Sequence, residues 1–146
     1  MEGHGVREEA IEVAAGAEIV RRFYEMAGRG DPAALEVFHP DVEFAMPEVL
    51  PHGGTIRGRE ALGAYFGEVR GRWDDFRVEA DDFVDGGDRV VALGRFCGRP
   101  KVSSRYVEVP FALVWTLRDG SVVRVDEYTD TAMLLEALRP EEEPAA

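Results

Sequence analysis

The chain has 146 residues, 45% of them hydrophobic and 32% charged, which is enough for one buried core and too few for two. Its formal charge of −12, from 29 acidic against 17 basic residues, repels phosphate backbones and anionic bilayers and so argues against nucleic acid or a membrane surface as partner. The single cysteine, Cys97, allows neither an internal disulfide nor a multi-thiolate metal site and suits a reducing, cytoplasmic setting.

No run approaches the roughly 20 apolar residues that span a bilayer, and the start Met1 to Gly5 lacks the basic-then-apolar order of a leader. One domain is expected over 13–139, with flexible tails at 1–12 and 140–146, the second holding Glu141, Glu142 and Glu143 between prolines. Val13, Ala17, Val20, Tyr24 and Ala27 recur at helical spacing and predict a first helix stopped by Gly28 and Gly30. Asp31-Pro32 supplies a cap and a first-turn proline for a short second helix that carries Leu35 and Phe38 inward. From Asp41 to Met46 the pattern alternates as a half-buried strand does, with Val42, Phe44 and Met46 on one side. A Pro- and Gly-rich loop over 47–58 leads to a third helix marked by Leu62, Tyr65, Phe66 and Val69.

The period then changes from 3.6 to 2. Phe76 to Val84 and Arg89 to Cys97 read as strands joined through Asp85-Gly86-Gly87-Asp88. Val107 to Leu117 sends Val109, Phe111, Leu113, Trp115 and Leu117 to one face, with Pro110 demanding a bulge or an edge. Asp119-Gly120 is a two-residue hairpin signal before a strand over 122–129, and 132–138 adds a short final helix.

Helices first and hairpins afterwards predict an α+β domain: a strongly curved antiparallel or mixed sheet forming a cone, its concave face covered by three N-terminal helices. Ala112 and Val114 on the far side, with a strand over 89–97 that is apolar on both parities, predict a homodimer through the sheet.

Several strings carry a resemblance: Phe23-Tyr24, Gly30-Asp31, His39-Pro40-Asp41-Val42, Gly58-Arg59-Glu60-Ala61-Leu62, Arg118-Asp119-Gly120 and Glu127-Tyr128-Thr129-Asp130. With the element order they resemble the nuclear-transport-factor-2-like superfamily, cystatin-like in fold, and within it the SnoaL-like group. The resemblance implies a pocket inside a cone and leaves the reaction open, because the superfamily holds isomerases, dehydratases, hydrolases, cyclases and non-catalytic modules. By the same resemblance, the catalytic aspartate of ketosteroid isomerases falls at Met46, and their oxyanion-hole tyrosine and acid fall at Phe23 and near Leu113; these apolar residues exclude that activity. The arginine and two aspartates of limonene epoxide hydrolase fall at Arg95, Cys97 and Glu127, which removes one carboxylate. The late-strand carboxylate of SnoaL-like cyclases falls at Glu127.

Parity on the last strand independently puts Val123, Val125, Glu127 and Thr129 toward the pocket. A carboxylate among Trp115, Leu113, Phe111, Phe44 and Met46 would be desolvated and poised for proton transfer near neutral pH. Arg95 would point inward as a polarising contact or else neutralise a neighbouring acid. Tyr24 and Tyr65 would offer hydroxyl donors from the covering helices, and His52 would rim the mouth. The three histidines lack metal-ligand spacing, and no Gly-rich loop opens a helix after a strand, so no metal and no cofactor is expected. Two functions fit: a small acid/base enzyme (cyclase, isomerase, dehydratase or hydrolase) acting on an apolar polyketide-, steroid- or terpenoid-like molecule, or a non-catalytic ligand-binding or dimerisation module.

Overall fold

The computed structural model describes residues 16–141. The expected first tail and Val13 lie outside the described residues. Glu141 lies within them, its N–H bonded to the Val102 carbonyl oxygen at 3.2 Å, so the chain is docked one residue past the expected start of the second tail.

Helix α1 (16–28) buries Ala17, Val20 and Phe23. It ends where Gly30 takes a φ of 72°, a conformation glycine adopts without steric cost, while the Asp31 N–H bonds back to the Met26 carbonyl oxygen. Asp31 then caps the next turn, its Oδ1 accepting from Ala33 N at 2.9 Å. That turn, Pro32–Val37, is a 3-10 helix too short to carry Phe38 with it. Phe38, expected on a helix, instead opens strand β1 (Phe38–Met46) and is buried there. The stretch expected as a loop contains strand β2 (Gly54–Arg57), hydrogen-bonded antiparallel to β1.

Helix α2 (Arg59–Arg72) follows, then β3 (Trp73–Asp85), β4 (Arg89–Pro100), β5 (Val107–Arg118), β6 (Ser121–Thr129) and helix α3 (Thr131–Ala137). The six strands form one sheet in the order β2-β1-β6-β5-β4-β3. Only the β1–β6 pair is parallel, so the sheet is mixed. The α+β architecture is thus the expected one, with α3 added at its far end.

The curvature has a local cause. β3 carries two register shifts, between Asp74 and Arg77 and between Ala80 and Asp82, and each bulge bends its strand and increases the twist. The second sits opposite Gly94 of β4, where a Cβ would lie 2.0 Å from the Glu79 carbonyl oxygen; only glycine lets the backbones approach this closely. At the β5–β6 turn Asp119 and Gly120 take φ of 52° and 80°, the paired positive values of a type I′ hairpin.

Pro110 makes no bulge against β4, where it pairs with Arg95 in unbroken register. Its carbonyl oxygen accepts from Asp130 N, on the β6 side just past the last ladder pair, Phe111 with Thr129. The missing N–H therefore faces the place where that ladder has already ended.

The main core lies between the concave face and helices α1 and α2, joining Val20, Phe23 and Leu62 to Phe38, Phe44, Leu113, Trp115 and Val125. A smaller cluster of Leu50, Val109 and Leu134 seats α3 and the loop after β1 at one end. No described helix is long and apolar enough to cross a membrane.

Candidate functional site

β6 runs along the middle of the sheet and carries Glu127 on its concave side, opposite Leu113 of β5. The side chain faces inward despite an irregularity in the strand. Between Thr116 and Leu117 the register shifts, so Val122 pairs with Leu117 and is fully buried, while Val123, expected inward, is the extra residue. From Arg124 onward the parity is the expected one. On the other side β1 runs parallel with Phe44 opposite Val125, which carries Met46 alongside Glu127.

Glu127 is 8% exposed and belongs with Phe44, Met46, Phe111, Leu113 and Trp115 to the buried set of the chain. No described residue gives it an ion pair. Burial pushes its carboxyl up to about 7, because charge is disfavoured where water is replaced by apolar side chains. A carboxyl that holds its proton near neutrality can give or take one there.

Two tyrosines face this carboxyl from the helices. Burial raises both phenols; the Trp115 indole, beside the Tyr24 hydroxyl, lowers that one in part, and the nearby Glu127 charge raises both. The Tyr24 ring meets Trp115 edge-on at 5.6 Å and Phe83 at 5.9 Å. The Tyr24 hydroxyl and the Trp115 indole N–H are both sealed from solvent and complete no hydrogen bond with any described residue. Tyr65 lies farther out and is half-buried. His52 stacks on it, ring centroids 6.2 Å apart, and is held below its ordinary value by burial and then by the Arg72 guanidinium. The loop bearing His52 is anchored by buried Leu50 and by a hydrogen bond from Gly53 N to the Leu50 carbonyl oxygen at 2.9 Å.

Arg95 does not join this group. Gly94, not Arg95, lies opposite the inward-facing Phe111, and Arg95 emerges on the outer face, bridged to Glu79 at 2.5 Å and Asp81 at 2.8 Å. A strand apolar on both parities gave no sign of which side was buried, and Val90, Ala92 and Phe96 took the inside. Thr129 keeps inward parity, but its hydroxyl is engaged, donating to the Pro110 carbonyl oxygen at 2.9 Å. Cys97 is a free thiol, buried on the outer-facing parity.

Phe83 and Arg72, which complete the surroundings of Tyr24 and His52, carried no signal in the sequence: each becomes a neighbour only through the fold. A shallow cleft of about 480 Å³ elsewhere is lined by Arg105, Arg139, Pro140 and Glu141 and shares nothing with this group. Among the described residues no three His, Cys, Asp or Glu side chains are placed to hold a metal.

The sequence profile of the SnoaL-like domain matches residues 20–125. No curated protein matches. Among solved structures, an NTF2-like protein of Burkholderia xenovorans is 32% identical over 86% of this chain and 97% of its own, with a TM-score of 0.76. Bal32a, from a soil-derived mobile gene cassette, is 26% identical over 88% and 99%, with a TM-score of 0.79. TerC, co-crystallised with polyporic acid, is 26% identical over 85% and 98%, with a TM-score of 0.76.

Proposed function

The chain belongs to the SnoaL-like domain family, and on that premise we propose that it binds a small, mostly apolar molecule on the concave face, with Glu127 as the acid/base group. The observation that carries this reading is the carboxyl itself: inward on the central strand, walled by Leu113, Trp115, Phe44 and Met46, and held near neutrality. A purely structural carboxylate would be paired, as Glu79 is with Arg77 and Arg95 on the outer face. The ligand is of polyketide, steroid or terpenoid type, in keeping with the apolar wall. The polyporic acid complex of TerC supports a ligand-binding role.

The half-buried His52–Tyr65 stack marks the way in. In a cyclisation or isomerisation Glu127 takes a proton from one substrate atom and returns it to another; in a dehydration it returns the proton to the departing hydroxyl, which leaves as water, and in a hydrolysis it takes the proton of the attacking water and passes it to the leaving group.

The convex face supports a homodimer. Val84, Leu93 and Tyr128 are exposed on it, on the strands β3, β4 and β6 that also carry members of the Arg95–Glu79–Asp81 and Arg124–Glu43–Asp126 groups. A cytoplasmic location fits the free Cys97 thiol.

A second reading, a binding or dimerisation module without catalysis, is favoured by the aromatic filling of the inner cone: Phe38 stacks on Trp115 at 5.7 Å, and Phe23 lies 5.1 Å from the same indole. Deuterium exchange separates the two. Incubated in D2O with apolar ketones bearing acidic C–H bonds, the wild-type protein is expected to exchange those hydrogens, and Glu127→Gln is expected to bind the same ketones without exchange. Binding without exchange in both proteins establishes the second reading; no binding in either overturns the first.

A further inference from the structure

Tyr65, Glu68 and Arg72 follow one another at spacings of three and four along α2, which sets them on one face of the helix with each side chain leaning toward its N-terminus. Arg72 therefore reaches back toward Tyr65, on which the His52 ring is stacked, and its charge acts on both. His52 is held in this place by its loop. Leu50 is buried in the small end cluster, and Gly53 passes so near the Pro47 carbonyl oxygen that a Cβ would lie 2.0 Å from it, an approach only glycine allows.

Among the described residues none takes an ion pair or a hydrogen bond from the Arg72 guanidinium, Glu68 included. Other arginines are engaged: Arg70 donates to the Ala27 carbonyl oxygen at 2.8 Å, and Arg77, Arg95 and Arg124 each meet a carboxylate. In a chain of net charge −12, a basic pair at the mouth that no acid answers runs against the general field. These donors are open to solvent, since Arg72 is exposed and His52 and Tyr65 are half-buried.

We propose that Arg72, with His52 and Tyr65 beside it, holds an anionic group of the ligand at the mouth, so that the molecule taken up is amphipathic: an apolar body on the concave face and a carboxylate at its outer end. A carboxylate matches the paired N–H groups of a guanidinium and keeps lone pairs for a phenol or an imidazole N–H. The charge belongs at the rim. Placed deeper, it would lose its hydration and meet the Glu127 carboxyl, whereas at the mouth water still reaches it. This deepens the ligand-binding reading above and rests on it: Glu127 acts on the inner end of the molecule, and the rim decides which end stays outside.

The test compares two molecules with one apolar body. 4-Phenylbutanoate and 4-phenylbutanamide have nearly the same shape and differ by a charge. Each is titrated into the full chain in low salt at neutral pH and followed by 15N–1H NMR. The acid is expected to bind about fivefold more tightly, the effect of one charge-assisted contact at an exposed site, and added salt should shrink the difference. In Arg72→Gln the acid should bind no better than the amide, while the amide keeps its wild-type affinity. Arg118→Gln makes the same charge change at the opposite end of β5 from the mouth and should keep the preference. Equal binding of acid and amide by the wild type overturns the anionic rim and leaves the apolar site standing. A preference that survives in Arg72→Gln, or is lost equally in Arg118→Gln, overturns it as well. If neither compound shifts any resonance of the concave face at millimolar concentration, the ligand-binding reading falls and the rim with it.

Discussion

The two faces of the sheet handle charge in opposite ways. Outside, carboxylates sit beside arginines: Glu79 between Arg77 and Arg95, Asp126 and Glu43 beside Arg124. The Arg77 hydrogen bond and the Arg95 charge hold Glu79 below its ordinary value. Inside, on the same β6 strand, Glu127 has no described cation to answer it, and burial moves it the other way, to about 7. Asp126 and Glu127 are consecutive on β6, and parity alone decides which regime each side chain meets. Where water reaches, charge is kept and paired; where it does not, the proton is kept instead.

Four substitutions probe this contrast, from the largest expected effect to the smallest. Trp115→Ala removes the ring around which Phe23, Phe38 and Tyr24 pack and should cost about 3–5 kcal/mol in a denaturant titration, as large core truncations do. A change within about 0.5 kcal/mol would mean that the inner face has been misassigned.

Glu127→Gln comes next, and its effect should depend on pH. The carboxyl titrates near 4.5 in the unfolded chain and near 7 in the fold, so between those values the folded state holds the extra proton. The native protein is therefore spared the penalty below pH 4.5 and loses stability as pH rises to 7, by about 3 kcal/mol at the usual 1.36 kcal/mol per unit. Glutamine carries no such cost. Stability curves of wild type and variant should nearly coincide at pH 4 and separate at pH 8, with the variant more stable.

Tyr24→Phe deletes a sealed hydroxyl that makes no bond with a described residue. In the ligand-free protein it should be neutral or stabilising, within about 1 kcal/mol. A clear loss of stability would show that the hydroxyl is satisfied. Arg95→Met on the outer face should move the unfolding midpoint least, and raising the salt concentration should shrink even that difference, since exposed pairs are screened.

The sheet was legible where one face of a strand is unmistakably apolar. On β5 and in the second half of β6 the alternation announced both the buried side and the position of Glu127, and Asp119-Gly120 announced the hairpin between them. It failed where the pattern is ambiguous or too short. β4 is apolar on both parities, so Arg95 could be turned either way; β2 offers only Gly54, Thr55, Ile56 and Arg57, too few residues for a period to emerge. The bulges on β3 left a trace that could have been followed, Gly94 and Gly98 inside a strand, since glycine there signals a close backbone approach. The meeting of Tyr24 and Trp115 left none. A contact between a helix and a distant strand is a property of three-dimensional packing, and no spacing in the chain encodes it.

The most direct measurement is the titration of the Glu127 side-chain carboxyl by 13C NMR, its signal identified by its loss in Glu127→Gln. A midpoint near 7 is predicted, displaced upward by the apolar wall alone. A midpoint near 4.5 would show a solvated or paired carboxylate and would remove the acid/base role from this site.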